Sequence, residues 1–140
     1  MLQPVVIDGI RTPIGKLNGA MKDIQPEEIA AFLLQKICER SHLDIRLLDA
    51  VILGQAKQSS DQPNIARLAA LMTKFPLEVQ AYTVHRQCGS GMQAVQNAAQ
   101  EIMCGYADFV LAGGVESMSN AQYYLREARR GYAVGNGILL

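Results

Sequence analysis

The sequence predicts an α/β domain in which a parallel sheet is covered by helices on both faces, in the order strand, helix, strand, helix, strand, helix, strand. Three observations lead there. Val5–Ile7, Ala50–Leu53 and Ala107–Ala112 are short apolar runs of strand length, with little of the polar alternation of a sheet open to water on one side. Between the strand-like runs lie segments whose apolar residues recur at spacings of three and four, the period of a helix face. Finally, around Cys88 the period switches from two to 3.6 across a glycine-flanked turn, so that a strand feeds directly into a helix.

Taken in order, Val5-Val6-Ile7 reads as a buried first strand closed by Asp8-Gly9, and Arg11 to Lys16 as a loop punctuated by Pro13 and Gly15. Lys16 beside glycines does not make a phosphate loop, because Leu17 follows the lysine and the required earlier glycine is missing. Pro26 with Glu27 and Glu28 opens a helix: proline fits its first position and the acids complement its dipole. Ile29, Phe32, Leu33 and Ile37 form its expected buried stripe, with Cys38 in the core and Ser41-His42 at its end. His42 reads as a solvated loop residue, having no ligand-spaced partner.

Asp44 is placed to cap a short turn through Leu48, before the second strand, Ala50–Leu53, ended by Gly54. A polar loop from Gln55 to Gln62 leads to a helix from Pro63, with Ile65, Leu68, Ala69 and Met72 as its apolar face. Lys74-Phe75-Pro76 stops it. The alternating, β-favouring run Val79–Arg86 is the third strand, and Met92, Val95, Ala99 and Ile102 mark the face of the helix that follows, closed by Gly105 after Cys104. Ala107–Ala112 is the fourth strand. From Glu116 the pattern changes to a basic, aromatic segment holding Tyr123, Tyr124, Arg126, Arg129, Arg130 and Tyr132, with Gly131, Gly135 and Gly137 among them, ending in the apolar Ile138-Leu139-Leu140. This divides the chain into an α/β domain over 1–117 and a loosely specified segment over 118–140.

Cys88 occupies the strand-to-helix turn, where unpaired amides and the positive end of the helix dipole favour an anion. The thiolate is the reactive form of cysteine, and a helix N-terminus is one of the settings that favours it. Gly89 and Gly91 allow an unusual turn and close approach of a substrate to the backbone, whose N–H groups can bind a developing oxyanion. An isolated cysteine is more simply a small buried hydrophobe. Here the flanking glycines and the change of period favour a nucleophile.

Composition bounds the function. At 140 residues the chain is long enough for one domain with a core, and 49% apolar against 19% charged residues describe a soluble globular protein. Thirteen basic and thirteen acidic side chains leave nothing to steer the chain toward nucleic acid or an anionic membrane. Cys38, Cys88 and Cys104 form no CxxC pair and are odd in number, so neither a disulfide framework nor a metal site is expected, and a reducing, cytoplasmic setting is. No secretory signal precedes Val5, and no apolar run approaches the ~20 residues that span a bilayer.

Five blocks together resemble the amino-terminal part of a thiolase, of the acetyl-CoA acetyltransferase type. They are Arg11-Thr12-Pro13-Ile14-Gly15, Val51-Ile52-Leu53-Gly54-Gln55, Gln62-Pro63-Asn64-Ile65-Ala66-Arg67, Cys88-Gly89-Ser90-Gly91-Met92-Gln93-Ala94-Val95 and Ala112-Gly113-Gly114-Val115-Glu116-Ser117-Met118-Ser119. Their order and separations carry the resemblance, which runs along essentially the whole chain; CGSG alone would be weak. The resemblance implies a thiolase-like fold, incomplete over 1–117 and followed by the start of a loop domain over 118–140, and Cys88 as the nucleophile that takes an acyl group from an acyl-CoA. It further implies substrate contacts from His85, Gly89 and Met118, a coenzyme A thioester as substrate with no other cofactor, and a homodimer or homotetramer. His85 departs from the family, which usually has asparagine there; it either shapes the substrate pocket or pairs with neighbouring backbone.

The family's second half brings the histidine of a GHP motif, which activates the nucleophile, and a second cysteine in a CxGGG motif that acts as acid and base. Neither motif occurs in these residues. Two readings follow: the nucleophile-bearing part of a longer acyltransferase, or a non-catalytic thiolase-like module acting in dimerisation or regulation. A ketoacyl-synthase relative would share the fold class and the cysteine, but the Cys-Gly-Ser-Gly block speaks for thiolase.

Overall fold

The structure, a computed structural model, describes residues 2–126 and 128–131. Helix α1 (Pro26–Ser41) is followed by strand β1 (Ala50–Gly54), helix α2 (Ile65–Met72), strand β2 (Gln80–Val84), helix α3 (Ser90–Cys104) and strand β3 (Val110–Gly114). The strands are all parallel, in spatial order β2-β1-β3. Ala50 pairs with Gln80 on one side and Val110 on the other, and the register runs on to Gly54 with Val84 and Gly114.

The central strand β1 is buried along its whole length, as a near-continuous apolar run in a parallel sheet should be. Its side chains alternate between two cores. Val51 and Leu53 pack with Leu34, Ile65, Ala69 and Phe75 on the side of α1 and α2, whereas Ile52 packs with Ala94 and Ala98 of α3 on the other. The result is the expected sheet with helices on both faces.

The expected first strand is not formed. Val5, Val6 and Ile7 are 74%, 86% and 71% exposed and lie in no ladder. A strand needs a neighbour for its backbone N–H and C=O groups as well as an apolar pattern. Here the segment and β3 instead line a shared open apolar cavity of about 1130 Å³. The same cavity explains two other differences. Ile29 and Leu33 of α1, and Val95, Ala99 and Ile102 of α3, line it rather than forming the closed core, while Ile37 lines it and also packs against the core. The core faces are made by neighbours that, Leu34 apart, are small: Ala30, Ala31 and Cys38 beside Leu34 on α1, and Ser90, Ala94 and Ala98 on α3. Small residues let a helix approach closely, and the larger ones are left at the rim.

Phe32, expected in the core, is 55% exposed, with Lys36 Nζ 5.9 Å from its ring centroid. Likewise α2 begins at Ile65 rather than Pro63 and buries Ile65, Ala66, Ala69 and Ala70, leaving Met72 exposed. Asn64 caps it by accepting from Arg67 N at 3.1 Å. The last strand starts three residues later than expected, because the amides of Asp108 and Phe109 are held by Asp49 Oδ2, at 2.7 and 3.0 Å. It runs instead through Gly113 and Gly114, which pair with Leu53 and Gly54.

The ends of the helices follow their sequence signals. Gln25 N donates to Glu28 Oε2 at 2.8 Å at the start of α1, and His42 closes it in the left-handed conformation. Gly105 closes α3 in the same way. Asp44 caps the short turn Ile45–Leu47. Of the basic, aromatic segment, Tyr132 and the residues that follow it lie outside the described residues.

Candidate active site

Cys88 lies in the tight turn between β2 and α3, immediately before the helix cap Gly89, and is exposed. The turn is doubly closed along the backbone: Gly89 N donates to Arg86 O at 3.0 Å and Ser90 N to Gln87 O at 3.1 Å. Its geometry forces Gln87 to a φ of +49°. For a residue with a side chain this left-handed conformation costs about 1–3 kcal/mol and persists only where the surroundings enforce it. The surroundings here include the Ser90 hydroxyl, which accepts from Arg86 N at 2.8 Å and donates to Gln87 O at 2.6 Å.

Glycines seat this turn over the carboxyl ends of the strands. A Cβ on Gly54, the last residue of β1, would stand 2.2 Å from the carbonyl carbon of Ser90 and 2.4 Å from Gly91 N. One on Gly114, the last residue of β3, would meet Gly91 Cα at 3.1 Å. Only residues without side chains at these two strand ends let the amino end of α3 come down onto the sheet. The active residue of an open parallel sheet is expected at this end, and Cys88 lies there. With Gly89 N and Ser90 N already engaged, the first-turn amides of Gly91 and Met92 have no acceptor among the described residues. They are the donors a developing oxyanion can use.

Two sets of hydrogen bonds fix the surrounding frame. Asn64 and Arg67 clamp β2: Asn64 Nδ2 donates to Ala81 O at 3.0 Å and its Oδ1 accepts from Thr83 Oγ1 at 2.9 Å, while Arg67 donates to Val79 O at 2.8 Å and Leu77 O at 3.2 Å. At the far side of the strand ends, Glu116 accepts from the amides of Ala56, at 2.8 Å, and Lys57, so the exits of β1 and β3 are tied together. A polar row also runs beneath the turn. Tyr82 donates to Glu101 at 2.8 Å, Asn97 to the Tyr82 hydroxyl, Gln93 to Asn97, and Arg86 to Gln93. Burial, reinforced by the bond to Glu101, raises the Tyr82 phenol above its ordinary value and keeps it protonated.

The structure therefore brings together three of the residues singled out from sequence, His85, Cys88 and Gly89, within one turn. His85 follows the last residue of β2 and is exposed; among the described residues its imidazole makes no hydrogen bond or ion pair. Met118 is elsewhere, exposed in a short turn beyond β3 on the wall of the large apolar cavity. The other two cysteines are set apart. Cys38 is buried in the α1 core, where desolvation first and the charge of Glu39 second push its thiol up, and Cys104 is exposed at the carbonyl end of α3. Sequence reasoning missed Gln87 and the Ser90 hydroxyl. The signal for the second was the serine directly behind a glycine-capped turn, which reads as an ordinary helix start. Among the described residues no cluster of three or more His, Cys, Asp or Glu side chains could hold a metal ion, and no helix is long and apolar enough to cross a membrane.

A strained turn seated by glycines over the carboxyl ends of a parallel sheet, with an exposed cysteine in it, defines the class of α/β protein. Comparison with known proteins makes this particular. The family model for the thiolase N-terminal domain matches residues 4–140, and the chain belongs to the thiolase family. It is 40% identical over 139 residues to a probable acetyl-CoA acyltransferase of Staphylococcus epidermidis, covering 99% of this chain and 35% of that protein. It is also 40% identical over 135 residues to the 3-oxoadipyl-CoA/3-oxo-5,6-dehydrosuberyl-CoA thiolase of Escherichia coli, covering 95% and 34%. The crystal structure of the Bacillus anthracis acetyl-CoA acetyltransferase superposes with a TM-score of 0.88 at 43% identity, over 91% of this chain and 32% of that one. The chain spans about a third of the length of these relatives.

Proposed function

We propose that these residues are the nucleophile-bearing part of an acyl-CoA acyltransferase of the thiolase type. The observation that carries the reading is the exposed Cys88 in its strained turn at the amide end of α3. The Cys88 thiolate attacks the thioester carbonyl of an acyl-CoA, the bond from that carbon to the CoA sulfur breaks, and CoA leaves as a thiolate that takes up a proton. The acyl group is then on Cys88 Sγ. It passes either to the α-carbon of acetyl-CoA, which loses a proton as the new C–C bond forms, or to the sulfur of CoA, whose thiol loses its proton; in both cases the acyl–Sγ bond breaks and the Cys88 thiolate is restored. The amides of Gly91 and Met92, which have no acceptor among the described residues, are proposed as donors for the charge that develops on the carbonyl oxygen. His85, Gly89 and Met118 are proposed to contact the substrate.

The base that deprotonates Cys88 and the acid/base at the second substrate's α-carbon are supplied from outside these residues, since neither a GHP nor a CxGGG motif occurs among them. The working protein is proposed to be a cytoplasmic homodimer or homotetramer, which the exposed apolar side chains of Val5, Val6, Ile7 and Met92 support. The test is CoA release from acetyl-CoA by the complete protein that carries this chain. Release that vanishes in Cys88→Ala supports the proposal, and release that survives that substitution refutes it.

A further inference from the structure

We propose that Ser90 is a positioning residue for the nucleophile: its hydroxyl locks the left-handed turn that holds Cys88 at the amide end of α3. The proposal rests on the reading of Cys88 as the nucleophile and extends it. Ser90 is the first residue of α3, where serine ordinarily has no fixed partner, yet it is only 3% exposed and both hydrogen-bonding capacities of its Oγ are used. Both bonds reach backwards past Cys88, to Arg86 N at 2.8 Å and to Gln87 O at 2.6 Å. One small group thus holds the two sides of the residue that carries the strain, Gln87, at a φ of +49°. The hydroxyl is itself fixed from below, because the Ser90 carbonyl lies against Gly54 with no room for so much as a Cβ between them. The chain of restraint runs from the end of β1, through the Ser90 backbone and hydroxyl, to the Gln87 peptide and so to Cys88.

Without the hydroxyl, Arg86 N and Gln87 O lose their side-chain partner, and Gln87 is free to relax toward the ordinary negative-φ region. Relaxation swings the peptide between Gln87 and Cys88 and carries the thiol away from its position at the amide end of α3. A displacement on the order of 1 Å at a reacting group can cost up to ~100-fold in rate. A serine that only contributed packing would instead lower stability and leave the reactivity of the folded protein unchanged.

The experiment uses the complete protein that carries this chain and compares wild type with Ser90→Ala, Ser90→Thr, and Ser90→Ala combined with Gln87→Gly. Iodoacetamide labelling is mapped by peptide and expressed as the rate at Cys88 relative to Cys104 in the same sample, with the melting temperature measured alongside. The expected result is a loss of about tenfold in that ratio for Ser90→Ala at temperatures where it remains folded. Ser90→Thr, which keeps the hydroxyl, should stay within about threefold of wild type, and Gln87→Gly should recover part of the loss because glycine holds a positive φ without cost. A Ser90→Ala ratio within about twofold of wild type overturns the proposal. If Ser90→Ala does not fold, Ser90→Thr decides: a tenfold loss with the hydroxyl retained overturns it as well. Acetyl transfer from acetyl-CoA to Cys88, followed in parallel, separates the two claims. A wild type that accepts no acetyl group defeats the nucleophile reading, while the alkylation ratio still decides the role of Ser90.

Discussion

Gly54 and Ser90 touch backbone to backbone: the end of the central strand presses against the first residue of α3, leaving no space for a Cβ. The contact converts a sheet position into the position of the Cys88 turn. Gly54→Ala is therefore expected to destabilise the fold by about 3 kcal/mol, at the upper end of ordinary overpacking, because the obstacle is backbone and cannot rotate away. Chemical denaturation should show a lower midpoint together with slower alkylation of Cys88. An alanine variant as stable as wild type would mean that the strand end and the helix are not in the contact described.

This contact also marks how far the sequence could be read. The continuous apolar run Ala50–Leu53 predicted β1 correctly, and the change of period placed Cys88 between a strand and a helix. Val5–Ile7 carries the same signal and forms no strand, because a pattern of side chains states what a segment would bury and not whether a neighbour is present to pair with its backbone. On α3 the larger Met92 and Val95 drew the predicted face, whereas the sheet is touched by Ala94 and Ala98. A face chosen for closeness is made of small residues that a hydrophobic stripe does not highlight. Within the site, Gln87 has no sequence signature for a positive φ, and Ser90 looks like a routine helix start.

The three thiols should differ in reactivity in the order of their surroundings. Cys88 is exposed at the amide end of α3, Cys104 is exposed at the carbonyl end of the same helix, and Cys38 is buried with its thiol pushed up by desolvation and Glu39. The amide end attracts negative charge and the carbonyl end repels it. Competitive alkylation with peptide mapping should give Cys88 first and Cys38 last. Labelling of Cys104 as fast as Cys88 would remove the chemical argument for a favoured nucleophile.

The Asp44–Arg46 pair predicts a pH dependence. Hydrogen bonds from the Arg46 side chain and amide lower the Asp44 carboxyl from 3.8 to about 2. A lowered carboxyl stabilises the fold in its ionised form, so the contribution is complete above the unfolded value near 3.8 and is lost as pH falls from there toward about 2. The difference in melting temperature between wild type and Asp44→Asn should accordingly be constant from neutral pH down to about 5 and shrink below 4. Both side chains are substantially exposed, so the difference is small and shrinks further in salt. A difference that grows on acidification contradicts the assignment.

Isolated as 140 residues, the chain should not sustain turnover of acetyl-CoA. It contains the proposed nucleophile and the proposed donors to one oxyanion, and lacks the two motifs expected to supply acid and base. Each such group contributes ~10²–10⁴-fold, so the loss of both removes detectable formation of acetoacetyl-CoA. Sustained product formation by the isolated chain, abolished by Cys88→Ala, would mean that a base lies within these residues, with His85 the first to be tested.

Acyl transfer to Cys88 is read out by mapping the acyl adduct. The complete protein is mixed with acetyl-CoA, quenched in acid within the first turnover, digested, and analysed for the peptide that carries an acetyl thioester. Acyl transfer to Cys88 puts the acetyl group on the peptide containing Cys88, released by hydroxylamine and absent from Cys88→Ala. An acetyl group found only on another residue, or CoA released at the wild-type rate with Cys88 unmodified and replaceable, would contradict it.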